Sequence, residues 1–543
     1  MTENFFQLPK RSQLLAEIQQ EEYDIVVIGG GASGCGVALE AALRGYKVLL
    51  IEAFDLAQGA SSASTKLVHG GVRYLEKAIR EFDYGQYKLV QEALHERVRM
   101  LHNAPHLAQP LEIIIPVYRW WETWYYKIGL WLYDLISGDK RWPSSRVIAA
   151  KEVFSKVPEL NREKIAGGIL YYDGQFNDSR YAVAVARAAQ KAGAQILSYV
   201  ACTELLKNHE NQVESIQFLD NLTGIGGKIR AKWFINCTGA MADKIRQMAR
   251  PNILPRLKPS KGVHLVFPKT LLTHKTGVLI PKTWDGRVIF LLPWQQGVLF
   301  GTTDTAVNDS YSQPNADQSD IEYLIDYFKQ VIDTKFHQTS FQSVFAGNRP
   351  LVLEDPEKPT EALIRSHEVE VWEAEHIIHL LGGKWTTYRQ MAEDTLNALE
   401  KTTRNAAKSS LTESHKLPGF GDLPRFPNSI PADIQQHIQQ YGSESQWFID
   451  YFEQYGVVRL LEKYPFTTAD VIFACQFEFA LTIDDILDRR IRLETTDLRA
   501  AYEVAPLVAQ ILHQNFGDFF PDPDSLANNY RESLQKKLTL LNQ

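Results

Sequence analysis

The stretch that decides the fold is YDIVVIGGGASGCGVALEAALRGYKVLLIE, residues 23–52. Residues 23–28 form a short apolar, β-branched run, which predicts a strand buried on both faces of a parallel sheet. Residues 33–44 are rich in Ala and Leu and predict a helix, which Gly45 would end. Residues 47–51 predict a second strand. The order strand, helix, strand indicates an α/β fold built on a parallel sheet.

The turn between the first strand and the helix, residues 29–34, fits the pattern G-x-G-x-x-G. Gly29 would allow the tight turn, Gly31 the close approach of a pyrophosphate, and Gly34 close packing of helix on strand. Glu52 lies 18 residues after Gly34, near the position roughly 20 residues on where an acid binds a ribose hydroxyl. We therefore predict a dinucleotide site. The pattern fits FAD and NAD equally, whereas Glu52 disfavours the 2′-phosphate of NADP.

The bulk composition limits the class of protein. With 543 residues, 45% of them hydrophobic, the chain is long enough for about two to four domains. The formal net charge of −7 argues against a nucleic-acid partner. The cysteines form no C-x-x-C pair and no metal-binding pattern with His, so we expect a reducing compartment, no disulfide and no metal site. They are Cys35, Cys202, Cys237 and Cys475.

The N-terminal residues 1–22 lack the apolar core of a signal peptide, and their acids argue against a transit peptide. No stretch approaches the roughly 18 uncharged apolar residues of a spanning helix. We expect a cytoplasmic protein that is soluble or attached to a membrane surface.

A second approach of the backbone to the dinucleotide is predicted further along the chain. Residues 181–193 predict a helix, followed by a strand at 195–200. Residues 228–236 predict another strand, which runs into Thr238 and Gly239. A strand that ends in small residues and Gly suits close contact with the same ligand.

The rest of the chain divides by composition. Residues 260–305 are rich in strand signals and predict a mostly antiparallel sheet in a second lobe. Residues 403–430 are polar with Pro and Gly, which predicts a linker. Residues 431–543 have helical periodicity and predict a third, helical unit.

Several cationic or polar residues follow double glycines or strand ends, where a ligand can approach the backbone closely. A cluster of cations would suit an anionic substrate, because arginines bind phosphate or carboxylate through forked donation. A structural ion pair is the ordinary explanation for any single Arg, and His69 is as readily structural as catalytic. The argument therefore depends on the whole set being brought together by the fold. The set is His69, Arg73, Tyr74, Arg349, Arg365 and Lys384.

Residues 116–137, PVYRWWETWYYKIGLWLYDLIS, place aromatic residues near helical spacing with basic residues beside them. This pattern suits a helix lying in a membrane interface. It also suits an aromatic helix packed on the protein core or on a second copy in a homodimer, which the residues alone favour slightly.

From the polar run SSASTKLVHGGVRYLE (61–76) onward, the chain resembles the FAD-dependent glycerol-3-phosphate dehydrogenases. The resemblance covers roughly residues 20 to 500, and its ordered motifs are more specific than the glycine pattern. The further motifs are NCTGAMAD (236–243), KGVHLVFP (261–268), PWQQGVLFGTTDT (293–305), GNRPL (347–351), GGKWTTYR (382–389) and FEFALTIDDILDRRIRL (477–493).

The resemblance implies a Rossmann-like FAD-binding domain of the glutathione-reductase type, a mixed-sheet substrate domain and an α-helical C-terminal cap domain. The implied division interleaves FAD segments (about 20–80, 165–250 and 340–402) with substrate segments (about 81–164 and 251–339) within residues 1–402. A linker at 403–430 and the cap at 431–543 follow. The implied reaction oxidises sn-glycerol 3-phosphate to dihydroxyacetone phosphate and passes electrons to membrane quinone.

The resemblance also assigns roles. Arg73, Tyr74, Arg349, Arg365 and Lys384 correspond to substrate-site residues of the family. His69 corresponds to the family's active-site histidine and is our first candidate for the base that removes the C2 hydroxyl proton. Arg349 would orient the substrate or, less conventionally, accept that proton. Arg73 and Arg365 would hold the phosphate, and Lys384 would stabilise charge on the flavin or the substrate oxygen.

The predicted FAD contacts come from four places: the glycine turn, the acidic residue Glu52, the polar run at 61–76, and residues at or after later strands. They are Gly29, Gly31, Ala32, Ser33, Gly34, Glu52, Ser62, Ser64, Lys66, Leu67, Ala201, Thr238, Gly239, Gly383, Lys384 and Thr386.

Two alternatives stay open. One is a glycerol-3-phosphate oxidase that passes electrons to O₂, although the insertion typical of that enzyme has no obvious place in this chain. The other is a related FAD-dependent amine or amino-acid oxidoreductase. Because quinone is reached from the bilayer, the resemblance favours residues 116–137 as a membrane contact. We therefore expect a peripheral protein on the inner face of the cytoplasmic membrane.

Overall fold

The computed structural model describes five long segments of the chain. They are residues 10–70, 84–119, 143–307, 314–353 and 367–541. Positions 164, 273, 282, 284 and 285 fall outside the description, whereas positions 122, 126, 127, 129 and 136 fall within it.

Eighteen strands form two sheets in these segments. In chain order they are β1 (Glu22–Ile28), β2 (Val48–Ile51), β3 (Leu67–Val68), β4 (Ala108–Val117), β5 (Arg146–Ala149), β6 (Gly167–Phe176), β7 (Gln195–Leu197), β8 (Val200–Lys207), β9 (Val213–Asp220), β10 (Gly226–Asn236), β11 (Ser260–Pro268), β12 (Gly277–Ile280), β13 (Ile289–Trp294), β14 (Gly297–Gly301), β15 (Thr305–Ala306), β16 (Ser343–Arg349), β17 (His367–Trp372) and β18 (Ile377–Gly382).

Fourteen α-helices lie in the same described segments. They are α1 (Arg11–Gln20), α2 (Ala32–Leu43), α3 (Tyr84–Asn103), α4 (Ala150–Lys156), α5 (Asp178–Lys191), α6 (Ala242–Ala249), α7 (Gln318–Val331), α8 (Tyr388–Thr402), α9 (Ala432–Ile438), α10 (Ser445–Tyr455), α11 (Thr468–Phe477), α12 (Leu493–Thr496), α13 (Leu498–Phe516) and α14 (Pro523–Leu541).

The first sheet contains the predicted parallel unit. Its strand order is β17-β18-β10-β1-β2-β7, in which all strands but β17 run parallel, and β8 and β9 continue antiparallel from β10. Ile25 and Val27 of β1 pack with α2, α5 and α8, whereas Val26 and Ile28 pack with α1 on the other face. A strand covered on both faces needs apolar residues throughout, as its sequence predicted.

The local elements of the opening stretch are confirmed almost residue for residue. The predicted helix is α2, which ends at Leu43, and Gly45 takes a φ of +82° just beyond it. Gly adopts this left-handed conformation at little cost, so it suits a helix end. The strand predicted at 195–200 is interrupted instead, because Tyr199 takes a φ of +62° and separates β7 from β8.

The second sheet confirms the predicted antiparallel lobe and extends it. Its order is β15-β11-β14-β13-β12-β4-β6-β3, with β16 paired to β11 and β5 to β6. The only parallel pairing in this described sheet joins β12 and β4. Sheet membership differs from the division predicted above, because β3, β6 and β16 belong to this sheet although they fall in the predicted FAD segments. The exact domain boundaries stay a prediction.

The segment predicted as a linker, residues 403–430, contains no helix or strand and lies against the first sheet's helices. Leu417 joins the core that α2 and α8 share, and the Thr412 hydroxyl donates to Glu40 Oε2 of α2 at 2.6 Å. Helices α11 to α14 then form a separate apolar core around residues such as Leu487 and Val508. The C-terminal region is therefore helical, as predicted.

Among the described helices, none combines the length and apolar character needed to cross a bilayer. Most positions of the aromatic segment 120–137 lie outside the described residues, so its proposed membrane contact stays a prediction.

Candidate active site

One cavity of about 560 Å³ opens between the two sheets in the described structure. Its walls come from the turn after β1, from residues 52–69, from the ends of β10 and β16, and from the residues after β18. Binding sites in α/β sheets form at the carboxyl ends of the strands, and this volume is within the range of ligand pockets. The cavity is therefore the candidate active site.

The glycine turn forms a cradle in one wall of this cavity. Gly29 has a φ of +110°, and a Cβ there would lie 2.7 Å from the Cys237 carbonyl oxygen. A Cβ at Gly34 would lie 1.8 Å from the Gly29 carbonyl oxygen. No side chain fits at either position, so the strand, the turn and α2 pack as closely as the sequence predicted.

The first turn of α2 faces the cavity through Gly31, Ala32 and Ser33. The Ala32 N–H donates to Ser61 Oγ at 2.9 Å. The unpaired N–H groups and dipole of a helix N-terminus favour a phosphate. This wall therefore fits the pyrophosphate of a dinucleotide.

Glu52 lines the same wall and is held by backbone groups. Its Oε2 accepts from the Gly30 N–H at 2.6 Å and its Oε1 from the Phe54 N–H at 3.0 Å. Burial raises the pKa of this carboxyl above its usual value. Each carboxylate oxygen has a further acceptor site, so Glu52 is oriented to receive a ribose hydroxyl as well.

All but three of the predicted FAD contacts line the cavity. Gly34 lies behind the turn, where it serves the packing described above, and Ser62 and Lys66 are buried behind the wall. The predicted residues that line it are Gly29, Gly31, Ala32, Ser33, Glu52, Ser64, Leu67, Ala201, Thr238, Gly239, Gly383, Lys384 and Thr386.

The side chain of Lys66 points away from the predicted ligand. Its Nζ donates to Asp178 Oδ2 at 2.7 Å and to the Ser62 carbonyl at 2.6 Å, and the side chain is fully buried. Burial and the nearby Arg492 lower the pKa of Lys66 to about 7. The sequence predicted Lys66 as an FAD contact, but its partner Asp178 lies 112 residues away and was not apparent from local sequence.

The three residues predicted to be catalytic all line the cavity: His69, Arg349 and Lys384. His69 follows β3, and its carbonyl accepts from the Thr386 hydroxyl at 3.5 Å. Lys384 follows Gly382 and Gly383, which have φ values of +69° and +90°. The predicted substrate residues Arg73, Tyr74 and Arg365 lie outside the described residues.

Arg349 is fixed by oxygens of one segment. Its Nη2 donates to Thr302 Oγ1 at 2.9 Å, and both terminal nitrogens donate to the Thr303 carbonyl at 3.2 Å. Its Nη1 lies 3.4 Å from Asp304 Oδ1. A Cβ at Gly262 would lie 2.4 Å from Nη2, so the guanidinium occupies the space that a side chain at position 262 would need.

His264 of β11 lines the cavity and was missed as a candidate. Its Nε2 lies 3.0 Å from Thr65 Oγ1, and its ring stacks on Phe345 with centroids 4.9 Å apart. Burial, with Lys66 and Arg349 nearby, keeps the pKa of His264 well below its usual value, so the ring is neutral. The sequence feature that could have identified His264 is its position as a single His within the apolar strand KGVHLVFP.

One group of side chains in the described part has ligand atoms within 4.8 Å of one another: Glu92, His367 and Asp394. His367 Nε2 lies 2.8 Å from Asp394 Oδ2, and burial raises the pKa of Glu92. The contact between His367 and Asp394 gives each of these two side chains a partner within the protein.

Comparison with known proteins supports the FAD-binding site and the helical C-terminal region over most of the chain. A family model described as FAD dependent oxidoreductase matches residues 24–409, and one described as the C-terminal domain of alpha-glycerophosphate oxidase matches residues 362–518. The human mitochondrial glycerol-3-phosphate dehydrogenase is 38% identical over 539 residues, which cover 94% of this chain and 73% of the human protein. Its counterpart in Arabidopsis thaliana is 35% identical and is covered over 84% of its length, with 93% of this chain matched.

Two solved structures of related enzymes have a similar fold. The glycerol-3-phosphate dehydrogenase of Bacillus halodurans, solved with FAD, is 25% identical, has a TM-score of 0.75, and matches 98% of this chain and 97% of its own. The L-alpha-glycerophosphate oxidase of Mycoplasma pneumoniae shares the fold, with a TM-score of 0.55 over 75% of this chain and 100% of its own. The chain belongs to the FAD-dependent glycerol-3-phosphate dehydrogenase family.

Proposed function

We propose that this chain oxidises sn-glycerol 3-phosphate to dihydroxyacetone phosphate, with FAD as the hydride acceptor. The observation that carries the proposal is a single cavity with a dinucleotide cradle in one wall and His69, Arg349 and Lys384 in the others. A cofactor and a small anionic substrate can therefore meet in one cavity.

The residues of the cradle fit FAD. The pyrophosphate would lie at the N-terminus of α2, where Gly31 leaves room for it, and Glu52 would accept a hydrogen bond from a ribose hydroxyl. Thr238 and Gly239, beyond β10, would provide the second backbone contact. Bound FAD supplies the acceptor for the substrate's hydride.

The substrate's phosphate needs cationic partners. Lys384 lies in the cavity wall, and Arg73 and Arg365 remain proposed ligands on the strength of the family motifs. Phosphate oxygens match the planar fork of Arg, so a substrate lacking the phosphate would lose most of its binding energy.

The chemical step requires removal of the C2 hydroxyl proton as the hydride leaves C2. We assign that proton to His69, because it lines the cavity and imidazole is the side chain that most often serves as a general base. Arg349 is held by Thr302, Thr303 and Asp304, and a guanidinium stays protonated, so it would orient the C2 oxygen. His264 is a weaker base, because its buried ring holds a proton poorly.

The electron acceptor that we propose is membrane quinone, reached from the bilayer surface. Residues 116–137 would lie in the interface through their aromatic and basic side chains. The protein would then act on the inner face of the cytoplasmic membrane.

The test is anaerobic bleaching of the purified yellow protein. Adding sn-glycerol 3-phosphate should remove the long-wavelength flavin absorbance, whereas plain glycerol at the same concentration should not. Equal bleaching by both compounds would contradict the phosphate site. A soluble quinone added without oxygen should then restore the colour. Rapid recolouring in air with stoichiometric H₂O₂ would instead identify the oxidase.

A further inference from the structure

The segment that follows Glu52, residues 53–64, forms a large part of the cavity wall and is here called the cofactor loop. It contains a single short 3₁₀ turn, Ala60–Ser62, and no other regular structure. Its Ser61 joins the dinucleotide cradle to the residues after β18: Oγ accepts from the Ala32 N–H at 2.9 Å, and the carbonyl accepts from Trp385 Nε1 at 2.9 Å. The loop's position therefore sets the shape of the cavity.

The loop is held from behind by the C-terminal helical region. Asp55 is fully buried, and both of its oxygens accept from arginines there. Arg490 donates to Oδ2 at 2.7 Å and to Oδ1 at 2.8 Å, and Arg489 Nε donates to Oδ2 at 2.5 Å. These are charge-assisted bonds in a forked geometry, which is the strongest kind in proteins.

A second point of attachment lies at the other end of the loop. Arg492 Nη2 donates to the Ser62 carbonyl at 2.7 Å, and Arg492 is also buried. A third lies at Phe54, whose carbonyl accepts from the Tyr199 N–H at 2.8 Å while the Tyr199 hydroxyl donates to Asp485 Oδ1 at 2.7 Å. The loop is thus fixed at its start, at Asp55 and at its end.

We propose that Asp55, Arg489, Arg490 and Arg492 form an arginine clamp that positions the cofactor loop for FAD. None of the four clamp residues lines the cavity, so they would act through the loop. If the clamp holds the loop in the conformation that binds FAD, clamp formation and FAD binding stabilise one another by the same amount. The helical region then contributes to FAD affinity through the loop, although none of its described residues lines the cavity.

The test measures this coupling in full-length apoprotein. Asp55→Asn leaves the arginines with a neutral partner and should raise the Kd for FAD about tenfold or more, a common size for coupling between sites. The rise in Tm on adding saturating FAD should shrink accordingly. Asp433→Asn breaks an exposed ion pair with Arg459 in the same region and is the matched control, with unchanged Kd.

A purely structural role predicts a different result. Asp55→Asn would then lower the Tm of apoprotein and FAD-bound protein equally and leave the Kd unchanged, which would overturn the proposal. If Asp55→Asn does not fold, Arg492→Lys is the second variant: it keeps the positive charge but cannot bond to the Ser62 and Asp488 carbonyls at the same time through a guanidinium. The same two measurements, the Kd for FAD and the rise in Tm on adding FAD, then test the proposal. Wild-type protein that does not bind FAD would contradict the proposed function; equal Kd in wild type and variant contradicts the clamp alone.

Discussion

Single residues around the cavity have their orientations fixed before any ligand enters. Arg349 is bonded to Thr302 and Thr303 and lies beside Asp304, and Glu52 accepts from two backbone N–H groups. Groups held in this way need little rearrangement when a substrate binds, which is the basis of electrostatic preorganisation.

The side chain of Arg349 gives the first prediction. Arg349→Ala should lower kcat with glycerol 3-phosphate by about 100-fold or more, because in the proposed mechanism it removes the charged donor that orients the reacting oxygen. FAD content should be unchanged, because the guanidinium bonds to Thr302 and Thr303 and to no residue of the glycine turn. Arg256→Ala, which removes an exposed pair with Glu368, is the control and should retain kcat. Loss of flavin from Arg349→Ala would mean that the residue is misassigned.

Gly34 gives a second prediction at this scale. Gly34→Ala places a Cβ 1.8 Å from the Gly29 carbonyl oxygen, a backbone atom that cannot move without opening the glycine turn. Bound FAD should fall below detection by absorbance after gel filtration. Gly45→Ala is the matched control: its Cβ meets open space, and the left-handed φ costs only about 1 kcal/mol of folding free energy. Retained FAD in Gly34→Ala would refute the cradle.

At the scale of elements, residues 403–430 are tied to the loop after α3. The ring of His106 donates from Nε2 to the Pro418 carbonyl at 2.9 Å, and the Leu417 N–H donates to the Asn103 carbonyl at 3.1 Å. Burial lowers the pKa of His106 to about 4. The attachment is therefore made by a neutral imidazole.

The buried His106 predicts that the free energy of unfolding depends on pH. Between pH 6.5 and about 4 the unfolded chain binds a proton at His106 and the folded chain does not, so the free energy of unfolding falls as pH is lowered through that window. The loss from one such group is at most about 1.4 kcal/mol per pH unit. His106→Gln should flatten the curve there, measured by guanidinium denaturation. His209→Gln, at an exposed site, should leave it unchanged; an equal slope in both variants would contradict the assignment.

The elements that the sequence predicted correctly are those whose cause is local. The glycine turn, α2 and β2 follow from residue types within thirty positions, and the antiparallel lobe follows from short strand-forming runs separated by turn residues. What could not be predicted depends on partners far along the chain. The burial of Lys66 depends on its ion pair with Asp178. The position of His264 in the cavity wall depends on how β11 pairs in the second sheet.

For the whole molecule, the proposed membrane contact gives a further prediction. Replacing Trp121 and Trp124 by Ser should weaken sedimentation with phosphatidylglycerol-containing vesicles several-fold, because interfacial binding scales with apolar area. Activity with a soluble quinone should be retained. Tyr455→Ser, at an exposed site in the helical region, serves as the control and should bind vesicles as the wild type does. Unchanged binding by the tryptophan variant would contradict the membrane contact and favour a helix that packs on the protein core or on a second copy.

The arginine clamp has a consequence for biosynthesis. Asp55 and Arg490 are 435 positions apart, so the ribosome completes the whole first sheet before the arginines emerge from the exit tunnel. Domains fold as they are synthesised, from the N-terminus onward. The nascent chain can thus form its glycine turn early, but Arg490 becomes available to Asp55 only near the end of synthesis. If the clamp holds the cofactor loop as proposed, we expect tight flavin binding to be a late event of maturation.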